Sequence, residues 1–259
     1  MLFMLIQDKS VSAATVSSDK HLLHEIHELV FDEASENNDS EFNQFNFFLS
    51  DSNLLKTRYQ SVSVQLLNRH YTIIPKEFSG SDLKEILELN TGFSGTEHVL
   101  QNQVNTEITI AFAIDSPLKN FIEKSFNTAK IKHTAATGIE LFMKLPALSK
   151  EQVFLNVYNH HIELFIKQNK ALLFYNVFKW ESHEDILYFT LFSMEQHAVS
   201  PSSARLTIAA NLPADDLLFV LLKKYVRHVN MFVSKLIDQP VNELPNHYYF
   251  NLLNDYLCE

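Results

Sequence analysis

The chain has 259 residues, of which 46% are hydrophobic and 21 are phenylalanine, so it is long enough for one large domain or two of ordinary size. The single cysteine, Cys258, leaves no intrachain disulfide, which is typical of a reducing compartment. A formal net charge of −10, without a dense cluster of Lys and Arg, argues against direct binding to nucleic acid.

Apolar runs are short throughout, far from the roughly 20 residues that span a bilayer, and the apolar N-terminal stretch lacks a basic lead-in. We therefore expect a soluble, cytoplasmic protein without a membrane span. Only four residues are glycine, against roughly 7% in an average protein. Because glycine lets the backbone approach a bound phosphate closely, so few glycines argue against a phosphate-binding enzyme.

Two stretches of the chain share the pattern strand, tight turn, strand, tight turn, strand. They are residues 2–29 and residues 152–178. When they are laid on each other, Asp8-Lys9-Ser10 falls on Asn159-His160-His161. A three-stranded meander that opens each half of the chain predicts two lobes of one fold.

The rest of the first half alternates between strand and helix patterns. The acidic stretch 32–41 is typical of a surface loop, and the glycine-containing stretch 91–105 is also predicted to be a loop. Strands are predicted at 62–66, 71–75, 107–114 and 130–133. Helices are predicted within 42–58 and at 81–90, 118–126 and 134–144. Residues 145–152 form the predicted junction.

The second half continues after its meander with a helix at 183–197, which either Ser182 or Glu181 caps. A strand at 205–210, a helix at 214–225 opened by Pro213, a strand at 229–233 and a helix within 244–259 follow. The order β-β-β-α-β-α-β predicts a mixed α/β sheet with helices on its faces. We place the lobes at 1–148 and 149–259, and we expect 236–259 to pack back on the N-terminal lobe.

Several short motifs carry a family resemblance. They are Asn176-Val177-Phe178 at a strand end, Glu184-Asp185 at a helix cap, the helical run 187–192, Lys224-Tyr225 and His133-Thr134-Ala135. On these residues the chain resembles the DUF3822 family, proteins of unknown function widespread in Bacteroidetes. The resemblance covers essentially the whole chain and is clearest over 152–230. It implies an actin-like ATPase fold, with two ribonuclease-H-like lobes around a cleft.

That fold binds nucleotide through glycine turns, and the resemblance allows the corresponding positions to be inspected. An active member has an Asp-x-Gly turn after the first strand of each lobe and a further glycine pair beside the adenosine. The corresponding segments here are Asp8-Lys9-Ser10, Asn159-His160-His161 and Ala209-Ala210-Asn211. Asp8 keeps the acid, but none of the three segments contains its glycine. These are the cleft positions that a nucleotide would contact, and Asp8 is equally typical of an ordinary hairpin turn.

Histidine-rich segments raise the question of a metal site. His21, Glu25 and Glu28 belong with His24 and His27 to a predicted strand, on which residues three apart face opposite sides. The neighbouring side chains of His160 and His161 diverge. We therefore expect no metal site, and no group of residues resembles a catalytic nucleophile with its base.

The aromatic residues of the second half concentrate at one place in the sequence. They are Phe174, Tyr175, Phe178, Trp180, Tyr188, Phe189 and Phe192. Most are expected in the core. Trp180 lies at a polar strand end beside Glu181, and we expect it to be partly exposed and a candidate anchor for a protein partner.

The sequence thus predicts a non-catalytic actin-like protein, a pseudo-ATPase that needs no cofactor and acts as a binding or scaffolding module for an unidentified protein partner. One alternative is a nucleotide-binding enzyme of the actin or sugar-kinase type, which would use ATP, Mg²⁺ and Asp8. The other is an accessory protein to an RNA-modification enzyme, where the acidic charge would require binding to the enzyme and not to RNA.

Overall fold

The computed structural model describes residues 1–17, 23–30, 41–78, 80, 82–93, 97–146, 149–213, 215–232 and 250–256. The chain divides into two compact units, Met1–Gly138 and Ile139–Leu257. The predicted acidic loop lies almost entirely outside the described residues, as does most of the segment 236–259 that we expected to pack back on the N-terminal lobe.

Unit 1 contains eight described strands. They are β1 (Leu2–Gln7), β2 (Ser10–Val16), β3 (Leu23–Val30), β4 (Val62–Leu66), β5 (Tyr71–Pro75), β6 (His98–Gln103), β7 (Ile108–Ile114) and β8 (Ala129–His133). Five of them form one mixed sheet in the order β3-β2-β1-β4-β8. The meander β1-β2-β3 is antiparallel, whereas β1, β4 and β8 are parallel, as the sequence pattern predicted.

The described helices of unit 1 are α1 (Glu41–Asp51), α2 (Leu83–Thr91) and α3 (Ser116–Ser125), and α4 (Thr134–Lys144) begins in unit 1 and ends in unit 2. All six residues of β1 are buried, which means that both faces of the sheet are covered at its centre. Helix α1 packs on β1 and β2, and α3 packs beside α1. The Asp82 carboxylate accepts the backbone N–H of Lys84 at 2.9 Å and so caps α2.

A second, three-stranded sheet in unit 1 has the order β5-β7-β6, and α2 packs against β5 and β7. The prediction of a loop over 91–105 was therefore wrong, since β6 occupies most of its second half. Two apolar residues of β6, Val99 and Leu100, are only half-buried, and Gln101, Asn102 and Gln103 follow them. Because β6 is mostly polar and half-exposed, its sequence shows almost no alternation of apolar and polar residues.

Unit 2 repeats the first sheet. Its strands are β9 (Glu151–Val157), β10 (His161–Gln168), β11 (Ala171–Lys179), β12 (Arg205–Ala210) and β13 (His228–Met231). Their order is β11-β10-β9-β12-β13, with an antiparallel meander β9-β10-β11 and parallel pairs β9–β12 and β12–β13. The two-lobe prediction from the repeated meander is confirmed at the level of the fold, because both units have one strand order.

The described helices of unit 2 are α5 (His183–Gln196), α6 (Leu217–Tyr225) and α7 (Phe250–Leu253). Helix α6 begins at Leu217 and not at the predicted Ala214, which lies outside the described residues. The cause is Asp216, whose carboxylate accepts the backbone N–H of Leu218 at 2.8 Å and starts the helix there. The main core of unit 2 lies between one face of the sheet and the helices α5 and α6.

Candidate functional site

The carboxyl ends of the parallel strands define the candidate site of each unit. In unit 2, Ala210 of β12 is paired with Val157 of β9, so the segments that follow them leave the sheet at one edge, about 4.8 Å apart. We call residues 158–161, 180–185, 211–213, 215 and 216 the carboxyl edge of unit 2. It brings together the predicted positions Asn159, His160, His161, Asn211 and Trp180. Asn159 and Asn211 are exposed, and the two histidines are half-buried.

Trp180 holds this edge together. Its indole Nε1 donates to the carbonyl oxygens of Tyr158 at 3.1 Å and His161 at 3.2 Å, and its backbone N–H donates to the carbonyl oxygen of His160 at 3.1 Å. The ring is half-buried and packs against the core of unit 2. The polar end of Trp180 is therefore used inside the unit, where it fixes the turn between β9 and β10.

The N-terminus of α5 also lies at this edge, and its own residues cap it. The Ser182 hydroxyl accepts the backbone N–H of Asp185 at 3.2 Å. In return, the Asp185 carboxylate accepts the backbone N–H groups of Glu181 at 3.0 Å and Ser182 at 2.9 Å. These hydrogen bonds, from Glu181 first and then Ser182, lower the pKa of Asp185 below its ordinary value. Ser182 is thus the cap, one of the two residues that the sequence offered.

The N-terminus of α6 is capped in the same way by Asp216, which the sequence reading missed. Its Oδ1 accepts the N–H of Leu218 and lies 3.9 Å from Nε2 of His183. Three further acids, Glu181, Glu184 and Asp215, are exposed nearby. A phosphate brought to this edge would meet carboxylates at the places where phosphate-binding proteins offer free backbone N–H groups.

The turns themselves have no backbone position that calls for glycine. Neither Asp8 nor Lys9 has a positive φ, and the same holds for Asn159, His160 and Asn211. The second turn of the unit 2 meander differs, since Asn169 and Lys170 have φ of 50° and 75°. Two successive left-handed residues in a two-residue hairpin form a type I′ turn. The turns at Asp8 and Asn159 therefore have backbone conformations that ordinary residues adopt, whereas the turn at Asn169-Lys170 does not.

In unit 1 the predicted residues Asp8, Lys9 and Ser10 lie at the hairpin between β1 and β2. Asp8 is exposed, Lys9 is half-buried and Ser10 is buried at the start of β2. The neighbouring parallel strands end in register, with Ile6 paired with Leu66 and Leu66 paired with His133. The carboxyl edge of unit 1 thus consists of the Asp8 hairpin, the segment after β4 and His133, the last residue of β8.

His133 fills this edge with its own ring. It is fully buried, its Nδ1 accepts the backbone N–H of Ala135 at 3.0 Å, and its Nε2 donates to the carbonyl oxygen of Asn68 at 3.1 Å. The imidazole is therefore neutral and caps α4. Burial lowers the pKa of His133 to about 4, although the hydrogen bond to Asn68 acts in the opposite direction.

The second sheet of unit 1 covers this histidine. The Tyr71 ring stacks on the imidazole with centroids 4.6 Å apart, and Phe112 lies 5.6 Å away. The backbone N–H of His133 donates to Oδ1 of Asn102 on β6 at 2.8 Å. Strands β5, β6 and β7 thus enclose the His133 ring and bond its backbone at the N-terminus of α4.

A buried polar cluster in unit 2 was not predicted. Glu163 on β10 is fully buried, and its two oxygens accept the hydroxyls of Tyr158 and Tyr175, each at 2.7 Å. Asn156 Nδ2 also donates to this carboxylate at 3.0 Å. The available signal was a charged residue at an alternate position of the otherwise apolar strand HIELFI. The cluster stabilises the meander from within, because every bond joins residues of β9, β10 or β11 or of the turn after β9.

The histidine-rich segment near the start of the chain lies partly on β3. His24 and His27 lie on β3, as predicted, and Glu25 and Glu28 lie beside them, whereas His21 is outside the described residues. Within the described part of the chain, no group of three His, Cys, Asp or Glu side chains is arranged to hold a metal ion. None of its helices is long and apolar enough to cross a membrane.

The aromatic residues of unit 2 are less deeply buried than expected. Tyr175 is buried, and Phe174, Phe178, Trp180 and Phe189 are half-buried at the margin of the core. Tyr188 and Phe192 are exposed. The prediction that most lie in the core is therefore only partly right, because α5 directs these two rings away from the sheet.

Comparisons with solved structures identify the fold. One match, over 100% of this chain and 96% of the other, is a Bacteroides thetaiotaomicron protein with an actin-like ATPase fold and unknown function, with a TM-score of 0.80 at 19% identity. A chain of the PilM–PilN type IV pilus biogenesis complex matches over 99% of this chain and 96% of its own, with a TM-score of 0.61 at 12% identity. The predicted actin-like ATPase fold is thereby confirmed.

Comparison with curated proteins gave no match. The family model described as "Protein of unknown function (DUF3822)" matches residues 1–229, which is most of the chain and includes the motifs quoted above. The chain therefore belongs to the DUF3822 family.

Proposed function

We propose that this protein is a non-catalytic member of the actin-like ATPase fold that acts as a binding or scaffolding module. The observation that carries the proposal is the state of the helix N-termini at the carboxyl edges. His133 caps α4, Ser182 and Asp185 cap α5, and Asp216 caps α6. At each of these three helix N-termini, one backbone N–H group of the kind that binds phosphate at helix N-termini is thus bonded to a side chain of the same chain.

The charges at these edges support the same proposal. A nucleotide triphosphate is strongly anionic, and the carboxyl edge of unit 2 presents Glu181, Glu184 and Asp215 as exposed acids. The turn conformations add a second argument, because the hairpin at Asp8 and the turn at Asn159 do not contain the left-handed positions that glycine would occupy.

The fold is compatible with a role in protein assembly, since a protein with this fold is part of the PilM–PilN type IV pilus biogenesis complex. That likeness concerns the fold alone and names no partner for this chain. The support for a binding role comes from the exposed apolar surface of unit 2, since large exposed apolar patches mark sites of protein interaction.

Thermal melting with millimolar Mg-ATP or Mg-ADP tests the absence of nucleotide chemistry. A ligand present at a hundred times its dissociation constant adds about 2.7 kcal/mol to the free energy of unfolding, which is a readily visible shift. We expect no shift beyond that given by the same concentration of magnesium tripolyphosphate, and no phosphate release above background. A saturable shift that is lost in Asp8→Ala, and kept in the exposed control Asp51→Ala, would establish the nucleotide-binding alternative instead.

A further inference from the structure

Helices α5 and α6 lie side by side on one face of the unit 2 sheet, and each is apolar on two sides. Toward the sheet, α5 buries Ile186 and Met194, and α6 buries Leu218 and Leu222. A surface helix ordinarily has one apolar stripe and a polar outer face. The outer faces of α5 and α6 carry exposed large apolar side chains as well.

The outward apolar residues are Leu217, 73% exposed, Tyr188, 59%, Val220, 48%, and Phe192, 44%. The rings of Tyr188 and Phe192 stack one helical turn apart, with centroids 5.7 Å apart and planes inclined by 17°. His183 at the start of α5 lies 3.9 Å from Asp216 at the start of α6, so the two helices begin at one level. We call the outward surface of α5 and α6, with these four residues at its centre, the α5–α6 face.

Charges of opposite sign lie at the two ends of this face. Exposed acids Glu181, Glu184 and Asp215 lie at the N-terminal ends of the helices. Exposed bases Lys223, Lys224 and Arg227 lie at the C-terminal end of α6, with Glu195 as the exposed acid at the end of α5. The face is thus acidic at one end, apolar in the middle and basic at the other.

We propose that the α5–α6 face binds a second copy of this chain in an antiparallel, twofold-symmetric dimer. A twofold axis perpendicular to the face, passing between Tyr188 and Val220, places the acidic end of each copy opposite the basic end of the other. The four apolar side chains then bury one another at the centre. Because the whole chain carries a net charge of −10, two copies repel each other unless they meet at a face whose charges balance locally.

This inference rests on the proposed function in one respect, since it names the surface and the partner through which a binding module of this fold would act. It does not depend on whether a nucleotide binds. The two proposals therefore fail separately: a nucleotide-dependent melting shift in an intact dimer contradicts the first alone, and a monomer without such a shift contradicts the second alone.

Sedimentation equilibrium on the full chain, over a wide range of concentrations, tests the dimer. We expect a species of twice the 29.9 kDa chain mass. Tyr188→Glu and Leu217→Glu should each raise the dimer dissociation constant by at least about tenfold. The matched control is Leu89→Glu, which changes an exposed leucine of unit 1 on α2 and should leave the constant unchanged.

Charge reversal gives a test that lost stability cannot imitate. Chains carrying Glu184→Lys with Asp215→Lys, and chains carrying Lys223→Glu with Lys224→Glu, should each be monomeric because like charges meet. An equimolar mixture of the two should form heterodimers, because both pairs of ends are again of opposite sign. A wild-type chain that stays monomeric throughout, a dimer unaffected by Tyr188→Glu, or a mixture that fails to associate would each overturn the proposal.

Discussion

The indole Nε1 of Trp180 donates to the carbonyl oxygen of Tyr158 at 3.1 Å and joins the end of β11 to the turn that follows β9. A second bond from the same N–H to His161 at 3.2 Å closes the other side of this turn. A tryptophan at a strand end thus positions the turn between β9 and β10.

Trp180→Phe tests that structural role. The change keeps an aromatic ring but removes the N–H donor, leaving the carbonyl oxygens of Tyr158 and His161 without it, so we expect a loss of about 1–2 kcal/mol in the free energy of unfolding. Urea denaturation measures it. Lys179→Ala, at the exposed preceding residue, is the control and should stay within about 0.5 kcal/mol of wild type. An unchanged stability in Trp180→Phe, together with lost binding to a partner, would instead identify the residue as a partner anchor.

The buried His133 predicts a dependence of stability on pH. Its pKa is about 4 in the folded chain against 6.5 ordinarily, so between these values the unfolded chain takes up a proton that the folded chain does not. Stability is therefore fully present above pH 6.5 and falls as the pH is lowered toward 4, by roughly 3 kcal/mol in total.

His133→Asn removes this titration while keeping an acceptor for the N–H of Ala135. We expect lower stability at neutral pH and a flatter profile between pH 6.5 and 4, measured by urea denaturation at a series of pH values. The exposed His98→Asn is the control and should keep the wild-type slope. NMR titration of the His133 ring that gave an ordinary pKa would contradict the prediction.

The cap of α5 predicts that removal of the Ser182 hydroxyl lowers the free energy of unfolding measurably. Ser182→Ala leaves the N–H of Asp185 without its acceptor and should cost about 1 kcal/mol. Chemical denaturation gives the value. Ser50→Ala, at an exposed serine within α1, should cost little or nothing, since alanine is the better helix former there. Equal losses in the two variants would show that the cap is not what stabilises α5.

The Asp185 carboxylate, which belongs to the same cap, predicts a second dependence of stability on pH. The pKa of Asp185 is lowered by its bonds from Glu181 and Ser182, so its contribution is present above the ordinary pKa of 3.8 and is lost as the pH falls through the folded value. Comparison of Asp185→Asn with wild type should therefore show a difference at neutral pH that shrinks under acid conditions. A difference that stayed constant with pH would be the contrary result.

Glu163→Gln tests the buried cluster of unit 2. An amide offers one acceptor oxygen where the carboxylate offers two, so either Tyr158 or Tyr175 loses its acceptor and unfolding should become easier by about 1–3 kcal/mol. Glu77→Gln, a substitution of the same type at an exposed residue of unit 1, is the control. Double-mutant cycles with Tyr158→Phe and Tyr175→Phe should give coupling energies of the same sign, and additive effects would show that the hydroxyls do not act through Glu163.

Much of the fold could be predicted because its signals are local. Both meanders were predicted from the pattern strand, turn, strand, turn, strand that residues 2–29 and 152–178 share. The helix Thr134–Lys144 was predicted with its observed ends. The signal failed where tertiary context supplied the stability. Val99 and Leu100 form a strand because they pair with β7. Helix α6 begins after Asp216, and not directly after Pro213, because the Asp216 carboxylate accepts the backbone N–H of Leu218.

The environment of the predicted site residues was less accessible from sequence. The missing glycines at Asp8-Lys9-Ser10 and Asn159-His160-His161 were evident, but the capping role of His133 was not. The sequence around a histidine at a strand end does not show whether its ring will be exposed to solvent or will accept a backbone N–H, as the His133 ring does from Ala135. Long-range bonds to Asn68 and Asn102 decide that, and both partners come from distant parts of unit 1.

The caps also determine how many substitutions a phosphate site at the carboxyl edge of unit 2 would require. After a change of Asn159 to glycine alone, the Ser182 hydroxyl and the Asp216 carboxylate would still accept the N–H groups of Asp185 and Leu218. Removal of those two caps alone would destabilise α5 and α6 and leave the turn at Asn159 unchanged. Under the proposed function, a phosphate site at this edge would therefore require changes in the turn and in the caps together.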